Sequence, residues 1–197
     1  MRILVMTFLL LLAAVLPARA GEDAYSLDKP HTQIMFSVDH MGFSHSNGKF
    51  LGYEGNFKLD YDHPEKASVE AVIHTDSIDM GDPAWDKAVK GIFKTDKFPD
   101  MTFKSTAVRL LSKKTADVIG DLTLLGVTKP VTLHVTFNKE GRNPFGKYIC
   151  GFSAYADIRR SDFGMKDYLP VVGDDVHIVI ETEGVRHDRP GQEQYNQ

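Results

Sequence analysis

A chain of 197 residues with one cysteine, Cys150, cannot form an intrachain disulfide, even in an oxidising compartment that would permit one. Stability must come from the core and from hydrogen-bonded secondary structure. There is no phosphate-cradling glycine loop, no G-x-S-x-G and no C-x-x-C, so the nucleotide and redox classes lose support. Eight histidines, His31, His40, His45, His63, His74, His134, His177 and His187, are scattered through the sequence without an H-E-x-x-H or similar spacing. No metal site is expected from them. Triad partners converge only in space, and nothing in the sequence supports a catalytic residue. The balance of 23 basic against 27 acidic residues is mildly acidic, which argues against nucleic acid and anionic membrane as partners.

No apolar run reaches the roughly twenty residues needed to span a bilayer. The longest, Ile3 to Leu16, follows Arg2 and precedes Pro17 and Ala18-Arg19-Ala20, the pattern of a secretory signal cleaved after Ala20. Cleavage there removes Arg2 and Arg19 and leaves 21 basic residues against 27 acidic ones, a net charge of −6. No cysteine follows the cleavage site, so a lipoprotein anchor has no attachment atom. The mature protein is expected to be exported, periplasmic and free of an integral membrane anchor. Residues 21–184 fit one domain. The polar stretch 185–197 is expected to be a disordered tail.

What the sequence does contain is two-residue alternation. Val131, Leu133, Val135 and Phe137 alternate with Thr132, His134, Thr136 and Asn138, the signature of a half-buried strand. Strands are expected at 31–40, 49–61, 67–77, 101–111, 115–124, 130–138, 147–159 and 175–183, with a short extended piece at Tyr25 to Leu27. Most links are short and carry turn chemistry, which favours antiparallel neighbours. The fold class is mainly β: an eight-stranded antiparallel up-and-down barrel with one short α-helix between strands 3 and 4. That helix is read at 82–94, where Trp85, Ala88, Val89, Ile92 and Phe93 share a face and Asp82-Pro83 supplies an N-cap and a first-turn proline.

The more apolar face of each strand is taken as interior. It comprises Ile34, Phe36, Val38, Leu51, Tyr53, Phe57, Leu59, Val69, Ala71, Ile73, Met101, Phe103, Val118, Leu122, Leu124, Val131, Leu133, Val135, Cys150, Phe152, Ala154, Ala156, Val176, Ile178 and Ile180. Gly55, Ala71, Ala116, Gly120, Ala154 and Ala156 are interleaved with the large residues. Small residues there fit either an unfilled cavity or a solid, tapered core. Cys150 is read as a buried, inert thiol, and Asp76, Asp79 and Asp82 as a solvated loop around a helix start. Strands of ten or more residues make any cavity long and narrow, a shape that suits a lipid tail.

Several segments resemble the YceI-like family of exported, lipocalin-like barrels associated with polyisoprenoid binding. Gly120-Asp121-Leu122-Thr123-Leu124-Leu125-Gly126-Val127-Thr128-Lys129-Pro130-Val131 is similar to the family's strand–turn–strand segment. Arg160-Ser161-Asp162-Phe163-Gly164-Met165, Phe36-Ser37-Val38-Asp39-His40-Met41-Gly42-Phe43-Ser44 and Val172-Gly173-Asp174-Asp175-Val176 resemble three further family motifs. The resemblance runs from about 25 to 183. It departs at Pro83-Ala84-Trp85-Asp86-Lys87, where the family commonly carries R-D-x-H-L, so ligand preference is open there.

The resemblance implies non-catalytic binding, transport or storage of a long isoprenoid lipid, such as a polyprenyl phosphate, a quinone or another long-chain amphiphile. No cofactor is required. The expected lining is Phe36, Val38, Tyr53, Phe57, Ala71, Ile73, Trp85, Phe93, Phe103, Leu122, Leu124, Val131, Leu133, Phe152, Ala154 and Ile178. Arg160 and Asp162 either serve a head group at the mouth or form an ion pair that fixes their turn. The alternative is a stress-response or interaction protein with a solid barrel that acts through its surface, with Tyr155 and Ile149 as a homodimer patch.

Overall fold

The computed structural model describes residues 21–187, so the expected signal segment and the tail from 188 onward lie outside the described residues. The strands are β1 (Glu22–Leu27), β2 (Gln33–His40), β3 (Ser44–Phe50), β4 (Tyr53–Asp60), β5 (Ser68–His74) and β6 (Ile78–Asp79). After helix α1 (Pro83–Phe93) come β7 (Asp100–Leu110), β8 (Thr115–Leu124), β9 (Val127–Arg142), β10 (Tyr148–Arg159) and β11 (Val172–Arg186).

These eleven strands make eight staves, because three staves are broken. β1 and β2 lie end to end along β11, with Tyr25 opposite Arg186 and Ile34 opposite Ile180. β3 and β4 run end to end beside them, Phe50 opposite Ile34 and Phe57 opposite Tyr25. β5 and β6 form the third broken stave, pairing with β4 and β3. Chain neighbours pair antiparallel all the way round, and β11 closes the ring onto β1 and β2. The expected eight-stranded up-and-down barrel is therefore present, with its helix between the third and fourth staves.

Apolar alternation does not mark β3 before residue 49; only its last two residues fall in the strand expected at 49–61. Its inward positions are Ser46, Gly48 and Phe50, all buried, but two of them carry no apolar side chain. Gly48 is small because the Phe36 ring and the Met80 sulfur cross directly over it. Leu51, expected inside, is 63% exposed: the two-residue break at Leu51-Gly52 shifts the phase so that Phe50 and Tyr53 both point in. β9 begins at Val127 rather than 130, because Leu125 (φ 51°) and Gly126 (φ 74°) make a two-residue turn of the left-handed kind that hairpins prefer. β11 runs through Val185 and Arg186, the first residues of the expected tail, and His187 Nε2 lies 2.6 Å from Ser26 Oγ.

Helix α1 starts where the sequence said it should. The Asp82 carboxylate accepts from the backbone N–H groups of Ala84 (2.9 Å) and Trp85 (3.0 Å), with Pro83 in the first turn. It stops at Lys94, whose left-handed backbone (φ 51°) returns its N–H to the Gly91 and Lys90 carbonyls. Helix and preceding loop are joined by Asp86, which accepts from the Met80 N–H at 2.6 Å.

Candidate functional site: an apolar lumen

The barrel is hollow. A cavity of about 500 Å³ runs inside it, lined almost wholly by apolar side chains of β2, β4, β5, α1 and β7 to β11. Phe36, Val69, Ala71, Val118, Leu133, Ile178 and Ile180 line it and pack on the core, yet are only partly buried. Inward residues with residual accessible surface border empty volume, since a close-packed interior leaves few voids larger than a water molecule. This disagrees with the solid-core alternative.

Of the residues expected to line the lumen, Phe36 and Val38 do so from β2, Phe57 from β4, and Ala71 and Ile73 from β5. Trp85 and Phe93 contribute from α1, Phe103 from β7, Leu122 and Leu124 from β8, Val131 and Leu133 from β9, Phe152 and Ala154 from β10, and Ile178 from β11. Tyr53 does not. Its ring is buried and its hydroxyl donates to the Thr32 carbonyl and to that of Lys29 (3.0 Å), clasping the break between β1 and β2. The small residues are not equivalent either. Ala71 and Ala154 border the lumen, whereas the Phe103 ring lies on Gly120, Leu27 on Gly55 and Phe57 on Gly184, so these glycines seat large side chains.

Aromatic rings plug one side of one end of the lumen, while on the other side the cavity wall continues through Leu59, Ala67, Ser68 and Val108. Tyr25 stacks on Phe57 with centroids 4.9 Å apart, Phe57 meets Phe152 edge-on at 5.6 Å, and Phe137 packs on Phe152 at 5.5 Å. Beneath the rings, the Tyr25 and Tyr61 hydroxyls are 2.7 Å apart, and Arg186 reaches both the buried Asp23 (3.4 Å) and the Tyr148 ring (4.1 Å). Cys150 is fully buried in this plug, and burial pushes its thiol up to about 12, the inert state expected of it.

The other end carries the titratable part of the lining, His40, Arg160, Asp167 and Tyr168, with Trp85 6.4 Å from the His40 ring. Three of the motif segments meet here. The Arg160 guanidinium is buried and donates to the carbonyls of Gly173 (2.8 Å), Asp167 (2.8 Å), Val172 (2.9 Å) and Met165 (3.1 Å). Burial lowers its pKa, opposed by the fields of Asp174 and Asp167. Asp174 in turn accepts from the Ser161 N–H (2.8 Å) and hydroxyl (2.7 Å). The expected pairing of Arg160 with Asp162 is absent: Asp162 lies 3.3 Å from Arg159. Arg160 is thus a clamp on the loop 160–173, and the Met41 N–H joins that loop at the Val171 carbonyl (3.0 Å).

Sequence reasoning left Met80, Ile158 and Met165 out of the lining, and Ala88, Val89 and Ile92 of α1 as well. The helical three were legible, since they share one stripe with Trp85 and Phe93. Met80 and Met165 sit in loops with no periodicity to betray them. His134 and His177 are on the outer face as expected, each 2.7 Å from a carboxylate, Asp117 and Asp157 respectively, with Tyr155 between their rings. Among the described residues, three potential metal ligands approach one another only at Asp28, His31 and Glu183, on the exterior and away from the polar mouth. No helix among them is long and apolar enough to cross a membrane.

A closed antiparallel barrel with an apolar lumen, a capping helix and a polar mouth defines a binding-protein architecture of the lipocalin-like kind. The family model of the YceI-like domain matches residues 25–184, and the chain belongs to that family. It is 37% identical over 166 residues to a UPF0312 protein of Pseudomonas savastanoi pv. phaseolicola, covering 82% of this chain and 86% of that one. Among solved structures it is similar to Burkholderia cenocepacia BcnA (TM-score 0.72, 25% identity, 80% of this chain and 98% of that one). A polyisoprenoid binding domain from Saccharophagus degradans shares the fold at TM-score 0.65 and 14% identity, covering 83% of this chain and 98% of that one.

Proposed function

We propose that the protein binds the tail of a long isoprenoid lipid, such as a polyprenyl phosphate or a quinone, or of a comparable long-chain amphiphile, for transport or storage and without chemical change. The observation that carries this is the apolar lumen of about 500 Å³, with the rings of Tyr25, Phe57 and Phe152 packed against one side of one end. A ten-carbon stretch placed inside gains roughly 8 kcal/mol at about 0.8 kcal/mol per buried methylene, enough to exceed the cost of immobilising a flexible tail. No charged partner is needed for that affinity. The head group stays at the mouth, among His40, Asp167 and Tyr168.

The fold shared with a polyisoprenoid binding domain supports the isoprenoid, and the signal-like residues 1–20 support export to a periplasm. The outer-face patch around Tyr155 offers a homodimer surface, though its neighbours His134 and His177 are polar. Protein secreted with its own leader, then analysed by native mass spectrometry and lipid extraction, is expected to carry a long-chain lipid. Repeated recovery empty, with no titratable binding of farnesol or a quinone, overturns the proposal.

A further inference from the structure

The mouth of the lumen is ringed by apolar side chains that face water. Phe43 is 85% exposed, Tyr168 68% and Val171 54%, and Met41 and Trp85 are also exposed. Phe43 and Met41 belong to the β2–β3 turn, Tyr168 and Val171 to the loop clamped by Arg160, and Trp85 to the first turn of α1. The Met41–Val171 backbone hydrogen bond fastens two of these elements together. Trp85 and Tyr168 also line the cavity, so the exposed collar and the lumen wall form one continuous apolar surface.

The side of the helix turned away from the lumen adds lysines. The lumen-facing stripe is Trp85, Ala88, Val89, Ile92 and Phe93. Lys87 and Lys90, spaced i and i+3, fall on the opposite side of the helix, and the exposed Lys94 follows at its C-cap. Among the described residues these three ammonium groups enter no ion pair. The helix's acids accept from backbone N–H groups, Asp82 as N-cap from Ala84 and Trp85 and Asp86 from Met80 of the preceding loop. Aromatic side chains beside outward lysines are the pattern of a bilayer interface, where rings sit among the head groups and ammonium groups meet lipid phosphates.

We infer that this collar and the lysine stripe of α1 dock the mouth onto an anionic phospholipid bilayer, so that a lipid tail passes between membrane and lumen without crossing water. The inference rests on the lumen being a lipid site. The chain's overall negative charge opposes approach, but at physiological ionic strength fields are screened within about 8 Å, which leaves the contacting stripe in control. A second copy of the chain fits less well, because it would set one lysine stripe against another.

The test uses vesicles of phosphatidylcholine, with and without phosphatidylglycerol, in a flotation assay, alongside farnesol uptake from ethanol solution. Phe43→Ser with Val171→Ser is expected to weaken partition onto both vesicle types by about a hundredfold. Lys87→Glu with Lys90→Glu is expected to weaken it about tenfold on phosphatidylglycerol vesicles alone, and high salt to mimic that loss. None of these four residues lines the lumen, so farnesol uptake from solution is expected to be unchanged in both variants. Normal farnesol uptake without vesicle flotation, or flotation indifferent to all four substitutions, overturns docking and leaves the lumen reading standing. Flotation without uptake of farnesol or any other tail overturns the lumen reading instead. Dimers in sedimentation that Phe43→Ser dissociates assign the collar to a second copy and overturn the bilayer.

Discussion

Ala154→Leu separates a hollow barrel from a solid one. Ala154 sits mid-wall on β10, opposite Val135 of β9 and Ile180 of β11, and borders the lumen. Leucine adds three carbons at that point. If they enter vacant volume, they meet the wall without displacing it, and the free protein keeps its stability. They also occupy space that a bound tail would use. Excluding three ligand carbons at about 0.8 kcal/mol each removes roughly 2.4 kcal/mol, or about 50-fold in Kd. Farnesol titration followed by the emission of Trp85, the chain's single tryptophan and part of the lumen mouth, reads the loss directly. Thermal unfolding of the ligand-free protein reads the wall. In a filled core the same change overpacks, costing about 1–3 kcal/mol, which for a domain of this size lowers Tm by several degrees. A lowered Tm with unchanged farnesol affinity refutes the hollow-barrel reasoning.

Arg160→Met keeps most of the side chain's bulk but leaves the carbonyls of Met165, Asp167, Val172 and Gly173 without their donor; a loss of about 3 kcal/mol or more is expected in urea unfolding, and a loss under 1 kcal/mol contradicts the clamp. Cys150 is expected to resist alkylation in the native state and to react at the rate of global unfolding, so labelling kinetics that outpace unfolding would show a looser plug than the one described. Asp117 is held below the ordinary carboxylate range by Arg109 first and His134 second. Its folded pKa lies under its unfolded one, so its contribution is full above about pH 4 and is lost as pH falls through the folded value. Asp117→Asn should therefore lower stability at neutral pH and flatten the acid limb of urea midpoints measured against pH; an acid limb as steep as the parent's counts against the assignment.

How far the sequence could be read depended on what each position reported. The alternation of β8 and β9 was legible because apolar residues occupy successive inward sites, and α1 because its stripe and its Asp82-Pro83 start agree. β3 was not, because Ser46 and Gly48 are buried without being apolar, and the reason for Gly48 is a ring and a sulfur brought there from β2 and from the loop before α1. A cavity was one of two readings of the six small inward residues, and only two of the six, Ala71 and Ala154, border it. Gly55 and Gly120 are covered by Leu27 and Phe103. Nothing in one strand's sequence says whether a neighbour will lean into the space it leaves. The role of Arg160 was hidden for a related reason: backbone carbonyls, unlike a carboxylate, have no letter in the sequence.

The aromatic plug has a consequence for exchange. A lipid tail bound as proposed would abut the Tyr25–Phe57 stack on one side and follow the wall of Leu59, Val69 and Val108 on the other. The rings would then set how deep a tail can lie on their side, and exchange at the mouth would require the resident tail to withdraw first from that depth. Departure, more than arrival, would be the clock of cargo turnover.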